Sequence, residues 1–291
     1  VKQDCLGCHT APFPEPIKAS EQPRAQVSLI DSAWSQDPSA PKYDIRFYRA
    51  NYFLVARYSD NVNVAPYVPI FEAAGEPVHL DSTEAKFQIS FKARVWASED
   101  RRWGVWAAYT QQNQWQVYND QISRPFRETN YEPELFATWR PGMDLPGGFK
   151  WNLLSGGFNH QSNGRTDTLS RSWNRLFVEG AIERENLVLS ARLWYRIPES
   201  DSDDDNPDIT HYLGHGQLGA LYRWNGNTFS AALRGNVSSG KGAFQAGWYS
   251  PPILGPFRAY VQFFTGYGES MIDYNWRQTT IGAGVALSDG I

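Results

Sequence analysis

His160 and Ser162 stand two residues apart in Gly157-Phe158-Asn159-His160-Gln161-Ser162-Asn163-Gly164. On an extended strand, side chains at i and i+2 leave the same face, with Cα atoms roughly 6.6 Å apart. A hydroxyl beside an imidazole is the start of a nucleophile–base pair, in which the ring accepts the proton as the oxygen attacks. Asn174 is the third candidate. The link 164–171 would make its strand the antiparallel neighbour of the His160 strand, and a neutral amide there would fix the tautomer of the ring. The plainer alternative is that Ser, His and Asn mark only the rim of a strand. No Gly-x-Ser-x-Gly elbow occurs, so the α/β-hydrolase route to this chemistry is unsupported.

The face that carries these groups is apolar. Leu154, Gly156 and Phe158 share the parity of His160, whereas Ser155, Asn159 and Gln161 take the other. Leu176, Val178, Gly180 and Ile182 share the parity of Asn174. A soluble enzyme would bury such a face. A membrane barrel would turn it to lipid, where polar groups are costly and usually functional, and the substrate would then be lipid.

The elements that must position these residues are strands. Phe87, Ile89, Phe91, Ala93, Val95 and Ala97 alternate with Lys86, Gln88, Ser90, Lys92 and Arg94. Similar alternation covers 187–196, 257–263 and 281–287, and helical spacing fits it badly. Twelve strands are expected near 44–58, 84–98, 102–118, 129–140, 150–163, 172–184, 185–197, 209–224, 226–237, 242–250, 255–268 and 275–288. An even number of antiparallel strands with alternating short and long links predicts an all-β, twelve-stranded antiparallel transmembrane β-barrel over 41–291. Short links such as Glu183-Arg184-Glu185 would be periplasmic. Long ones near 59–83, 119–128, 164–171 and 198–208 would be external. Residues 1–40, with Pro at 12, 14, 16, 23 and 38, read as a loop-rich lead-in.

Composition agrees with a barrel. The 291 residues are 15% aromatic, with 12 Trp, 15 Tyr and 24 Gly, yet mean hydropathy is only −0.52. A polar lumen cancels an apolar exterior in any window average. A soluble β-sandwich or lectin shares this composition. The net charge of −4 argues against a nucleic-acid partner. No leader is visible at Val1, so a processed chain is expected. Cys5 and Cys8, the two cysteines, stand in Cys5-Leu6-Gly7-Cys8-His9, which has the spacing of c-type haem attachment. A local disulfide in an oxidising compartment is the expected use.

Other polar residues fall into three groups. Asp201-Ser202-Asp203-Asp204-Asp205-Asn206-Pro207-Asp208 is an acidic loop but not an EF-hand, since Asn206 and Tyr212 replace the required Gly and Glu. It is either a solvated loop or, with Asp167 and Ser170 nearby, a source of hard oxygen donors for calcium. His211 and His215 read as lumen-facing residues of a strand, with no metal. Gln111 shares a face with Trp103, Val105, Ala107 and Tyr109. An unpaired amide there would seek a partner across a subunit contact.

From about residue 43 onward the chain resembles the outer-membrane phospholipase A family of Gram-negative bacteria. The most specific blocks are Arg124-Pro125-Phe126-Arg127-Glu128-Thr129-Asn130-Tyr131-Glu132-Pro133, Gly157 to Asn174, Asp204 to Thr210, and Gly266-Tyr267-Gly268-Glu269-Ser270. The resemblance implies an outer-membrane barrel that hydrolyses phospholipid acyl esters as a calcium-dependent, reversible homodimer. It implies Ser162 as nucleophile, His160 as base, Asn174 as orienting group and the Gly164 N–H as oxyanion donor. It assigns calcium to the Arg165 carbonyl, Ser170 and, across the dimer, Ser123. Asp167 and Asp205 match a second calcium position, and Gln111 matches a dimer contact. The Cys5–His9 segment lies outside the family pattern. The terminal Ile291 stands where such barrels often carry an aromatic residue, which touches the assembly signal. A passive, porin-like barrel is the alternative.

Overall fold

The structure, a computed structural model, describes residues 28–200 and 202–290. Cys5, Cys8, His9, Asp201 and Ile291 lie outside the described residues. Twelve strands form one antiparallel sheet that closes on itself. We label them β1 Asn51–Ser59, β2 Thr83–Ala97, β3 Trp103–Trp115, β4 Phe126–Trp139, β5 Phe149–Ser162, β6 Ser172–Arg184, β7 Leu187–Ile197, β8 Gly216–Trp224, β9 Asn227–Asn236, β10 Lys241–Leu254, β11 Phe257–Tyr267 and β12 Arg277–Ser288. Each pairs with its sequence neighbours, and β12 pairs with β1 from Thr280↔Ser59 to Ser288↔Asn51. Closure matters because no water is present in hydrocarbon to satisfy an open edge.

The period-2 pattern sorts side chains as expected. Ile89, Phe91, Leu135, Leu176, Val178, Leu193, Tyr195 and Ile281 are exposed on the outer wall. Glu84, Lys86, Arg127, Glu132 and Glu134 are buried in the lumen, where they form an ion-pair network. Glu84 takes Arg57 at 2.9 Å and Arg127 at 2.9 Å. Lys86 reaches Glu269 at 2.8 Å, Arg49 reaches Glu134 at 2.6 Å, and Arg175 reaches Glu132 at 3.0 Å. A cavity of about 400 Å³ remains among these groups.

The expected strand 44–58 is broken. Asp44–Phe47 pairs separately with Phe91–Arg94 of β2, and β1 starts after the break at Tyr48–Ala50. The parity of β2 also flips near its end. A bulge between Arg94 and Trp96 turns Trp96 outward and Ala97 inward, where strict alternation places Ala97 outside. The region expected as a strand from 209 begins instead with a short helix, α2, Ile209–Leu213. His211 lies on that helix and His215 in the bend after it. Both are exposed, so neither faces the lumen. The β6–β7 link is Glu185-Asn186.

Within the stretch read as a lead-in, Leu29–Trp34 forms a helix, α1, inside the end of the barrel that carries the shortest links. Glu183 accepts the Leu29 and Ile30 amides at 2.8 and 3.2 Å, a carboxylate at a helix N-terminus. Arg140 grips Asp31 with two bonds of 2.6 Å. Trp34 lies 3.1 Å (ring centroid) from Lys92 Nζ. That ammonium has no hydrogen-bond partner among the described residues, but the rings of Trp34, Tyr48 and Trp106 surround it. The longer links, including 60–82, 116–125, 163–171 and 198–215, gather at the opposite end, which in such barrels is external.

Candidate active site

Strands β5 and β6 place the three candidates side by side. Register sets His160 opposite Asn174 and Ser162 opposite Ser172. His160 Nδ1 and Asn174 Oδ1 are 2.9 Å apart on the outer wall, beside exposed Phe158 and Leu176. Ser162 leaves the same face two residues further along. No hydrogen bond joins Ser162 to His160 among the described residues.

The opposite parity of the same strands is what holds this face still. Gln161 Oε1 accepts from Trp173 Nε1 at 2.9 Å and from Arg175 at 3.1 Å. Asn159 donates to Glu132 at 2.8 Å and accepts from Arg175. Trp173 is fully buried beneath the Arg175 guanidinium, 4.0 Å away. On the other side, the β4–β5 ladder is interrupted between Tyr131/Ser162 and Glu134/Asn159. Pro133 lies in that gap and has no N–H to donate. The wall beside His160 is therefore loosely laced on one side and tightly paired on the other.

Two residues that the sequence did not mark out shape the external loops. Asn163 is buried, and its side chain accepts from the Arg165 and Arg171 amides at 3.2 and 3.0 Å while donating to the Leu169 carbonyl at 2.7 Å. It folds 163–171 around itself. Asn206, also buried, accepts the Ser172 amide at 2.9 Å and so docks the acidic loop onto β6. Asp204 is taken by Arg196 at 2.5 Å, which leaves Asp205 to meet Ser170 Oγ at 2.5 Å. Tyr274 donates to Asp208 at 2.7 Å. Burial, and then that carboxylate, hold its phenol far above the usual range, so it stays a donor.

Gly164 adopts φ +62°, and a Cβ there would meet Tyr131 Cε2 at 3.0 Å, so the position needs glycine on both counts. Ser170 and Asp205 converge, and the Arg165 carbonyl accepts no hydrogen bond among the described residues. Asp167 opens a 3₁₀ turn at φ 54°, and its carboxylate is unengaged among the described residues. Carbonyl, hydroxyl and carboxylate oxygens are hard donors and fit calcium. No group of three or more His, Cys, Asp or Glu converges among the described residues. Ser123 is exposed in the 116–125 loop at φ 58° and makes no hydrogen bond with Ser170 or Asp205 of its own chain.

Gln111 points outward as expected but is not unpaired. It accepts from Tyr109 Oη at 2.9 Å and donates to Asn113 Oδ1 at 3.1 Å, which Thr129 also reaches at 3.0 Å. A polar ladder within one subunit satisfies it where a lone amide was expected.

A model of the phospholipase A1 family matches residues 30–287. The chain belongs to the phospholipase A1 family. It is 42% identical over 209 residues to phospholipase A1 of Escherichia coli K12, across 71% of this chain and 70% of that one. The Proteus vulgaris phospholipase A1 is 37% identical over 277 residues, across 94% and 90%. A Neisseria meningitidis relative is 39% identical over 257 residues, and the chain spans 65% of its length. Among solved structures, the Escherichia coli outer membrane phospholipase A aligns with TM-score 0.78 at 36% identity, covering 85% of this chain and 99% of that one. The Salmonella typhi outer membrane phospholipase, solved as a dimer with bound calcium, aligns with TM-score 0.80 at 33% identity, covering 91% and 100%. Barrel and family together place the chain among the phospholipid-hydrolysing enzymes of the Gram-negative outer membrane.

Proposed function

We propose that the chain cleaves phospholipid acyl esters with a Ser162–His160–Asn174 triad on its lipid-facing wall, as a calcium-dependent, reversible homodimer. The observation that carries this reading is the 2.9 Å contact between His160 and Asn174, made outside the barrel among apolar residues. Asn174 Oδ1 accepts from His160 Nδ1–H, so the Nε2 lone pair is free for the Ser162 proton. Ser162 Oγ attacks the ester carbonyl as His160 takes that proton. The Gly164 N–H donates to the oxyanion. His160 then returns the proton to the departing glycerol oxygen, which leaves an acyl group on Ser162. Water activated by the same ring frees the fatty acid and restores the hydroxyl.

Arg165 through its carbonyl, Ser170 and the partner subunit's Ser123 would hold one calcium ion, and Asp167 and Asp205 a second. Bound calcium supplies a Lewis acid beside the oxyanion. The calcium-bound dimer of the Salmonella typhi relative supports this part of the reading. The porin-like alternative gains no support from a lumen crossed by ion pairs and entered by Trp34. The test is a fluorophosphonate probe on purified protein in detergent with calcium. Covalent labelling of Ser162 with matching loss of esterase turnover is expected. Full turnover with Ser162 quantitatively labelled would overturn the assignment.

A further inference from the structure

The chain of outer-wall hydrogen bonds does not end at Asn174. Asn174 Nδ2 donates to Glu199 Oε1 at 2.9 Å. Two adjacent strands and the segment that leaves a third supply this row. Asn174 lies opposite His160 on β5 and opposite Ile197 on β7. Glu199 follows Ile197 by two residues and continues the outward parity of Leu193 and Tyr195. Pro198 precedes it with a fixed φ. A turn follows at once, in which the Asp203 and Asp204 amides donate to the Ser200 carbonyl at 2.9 and 3.0 Å. Glu199 is half-buried and has no cationic partner within salt-bridge distance among the described residues. A carboxylate on the membrane side of a barrel wall is costly unless it serves a purpose.

We infer that Glu199 is a positioning residue that sets the orientation of the Asn174 amide and, through it, the tautomer of His160. The inference rests on the triad reading above. An Asn side chain presents an acceptor on one side and donors on the other, and nothing in its shape decides which faces the histidine. A carboxylate only accepts. With Glu199 against one end, the NH₂ group must face it and Oδ1 must face His160. Oδ1 can then accept only from Nδ1–H, which leaves Nε2 unprotonated toward Ser162. Glu199 also brings a negative charge that a neutral third residue lacks, two hydrogen bonds behind the ring that becomes cationic during attack.

The test is a mutant cycle on the full chain in detergent with calcium, scored by kcat and KM on a dispersed phospholipid. Heat-modifiable migration confirms each barrel, and Ser162→Ala serves as the control for the triad itself. Glu199→Ala should lower kcat about tenfold, the low end for a hydrogen bond to a charged group at a half-exposed site, with KM unchanged. The same substitution in an Asn174→Ala background should cost nothing further, because the link it works through is gone. Glu199→Gln, still able to accept, should lose less than Glu199→Ala.

Asn174→Asp sets two carboxylates face to face and should be strongly impaired. Adding Glu199→Gln turns an amide donor toward that carboxylate and should restore at least tenfold of the lost kcat. Equal costs of Glu199→Ala with and without Asn174, or no recovery in the Asn174→Asp, Glu199→Gln pair, would overturn the positioning role while leaving the triad intact. Full activity of Ser162→Ala would instead sink the reading beneath it.

Discussion

Glu84 and Glu199 are carboxylates in the wall of one barrel, held in opposite ways. Glu84 faces the lumen and is fully buried. It accepts from Arg57 Nη1 at 2.9 Å, from Arg127 Nε and Nη2 at 2.9 Å each, and from Gln116 at 3.0 Å. Glu199 faces outward and, among the described residues, accepts one bond, from Asn174. The inner network is redundant, and each member has several partners. The outer row from Glu199 through Asn174 to His160 is linear, and each link depends on the one before. Redundant polar contacts stabilise a fold that encloses them. A linear row exposed at a lipid wall adds little stability, and on the proposed reading its use is to orient the His160 ring. The two regions should therefore respond to mutation in separate observables.

The largest expected effect is at the end of the outer row. Ser162→Ala should lower kcat roughly 10⁴-fold or more, the scale seen when a triad nucleophile is removed, with an unchanged unfolding midpoint in urea. His160→Ala should behave alike, and Asn174→Ala more mildly, since the proton acceptor remains. A shifted midpoint in Ser162→Ala would blur the separation drawn here. Glu84→Ala should do the converse. It strands Arg57 and Arg127 in the lumen and should cost about 3–5 kcal/mol of stability. Activity per folded molecule should survive. Its loss in barrels that remain folded would show that the inner network also shapes the site.

Calcium removal comes next. Chelation should lower turnover roughly 10²–10³-fold, the cost of one oxyanion-stabilising group, and should lower the dimer fraction together with it. Analytical ultracentrifugation and esterase assays on the same fractions check this. A calcium-free monomer with full activity would end the calcium proposal without touching Ser162.

Much of this separation was legible in the alternation of residue types. Parity placed His160 and Asn174 outside with Phe158 and Leu176, and lysines and arginines inside. It failed wherever the backbone breaks strict alternation. The bulge at Arg94/Trp96 flips Ala97 inward, and the break at Tyr48–Ala50 divides one strand into two. The helix Ile209–Leu213 spans only five residues. Its one sign was the i, i+4 apolar pair of Ile209 and Leu213 before Gly214, and a strand reading gave His211 and His215 a shared lumen face instead. Glu199 did carry a signal, as a charge on the parity of Leu193 and Tyr195. Asn163 and Asn206 carried none, because their partners are backbone amides whose positions only the folded loops define.

The smallest expected effect concerns the subunit contact, and it probes whether a third polar region belongs with the inner network or the outer row. Gln111 lies on the outer wall yet is satisfied within its own subunit by Tyr109 and Asn113. In that respect it resembles the lumen. One amide proton and one lone pair remain for a partner. If two copies meet across a two-fold axis, each Gln111 would face its mate, and one substitution would remove the contact from both sides. Hydrogen bonds between membrane-embedded segments average about 0.6 kcal/mol. Gln111→Leu should therefore weaken the calcium-bound dimer only several-fold, with kcat of the dimer unchanged and activity falling in step with dimer fraction. Sedimentation at graded detergent-to-protein ratios reads the association constant directly. An unchanged constant would place Gln111 with the redundant contacts that serve one barrel alone. A fall of a hundredfold would mean that the ladder through Asn113 and Thr129 is itself part of the interface.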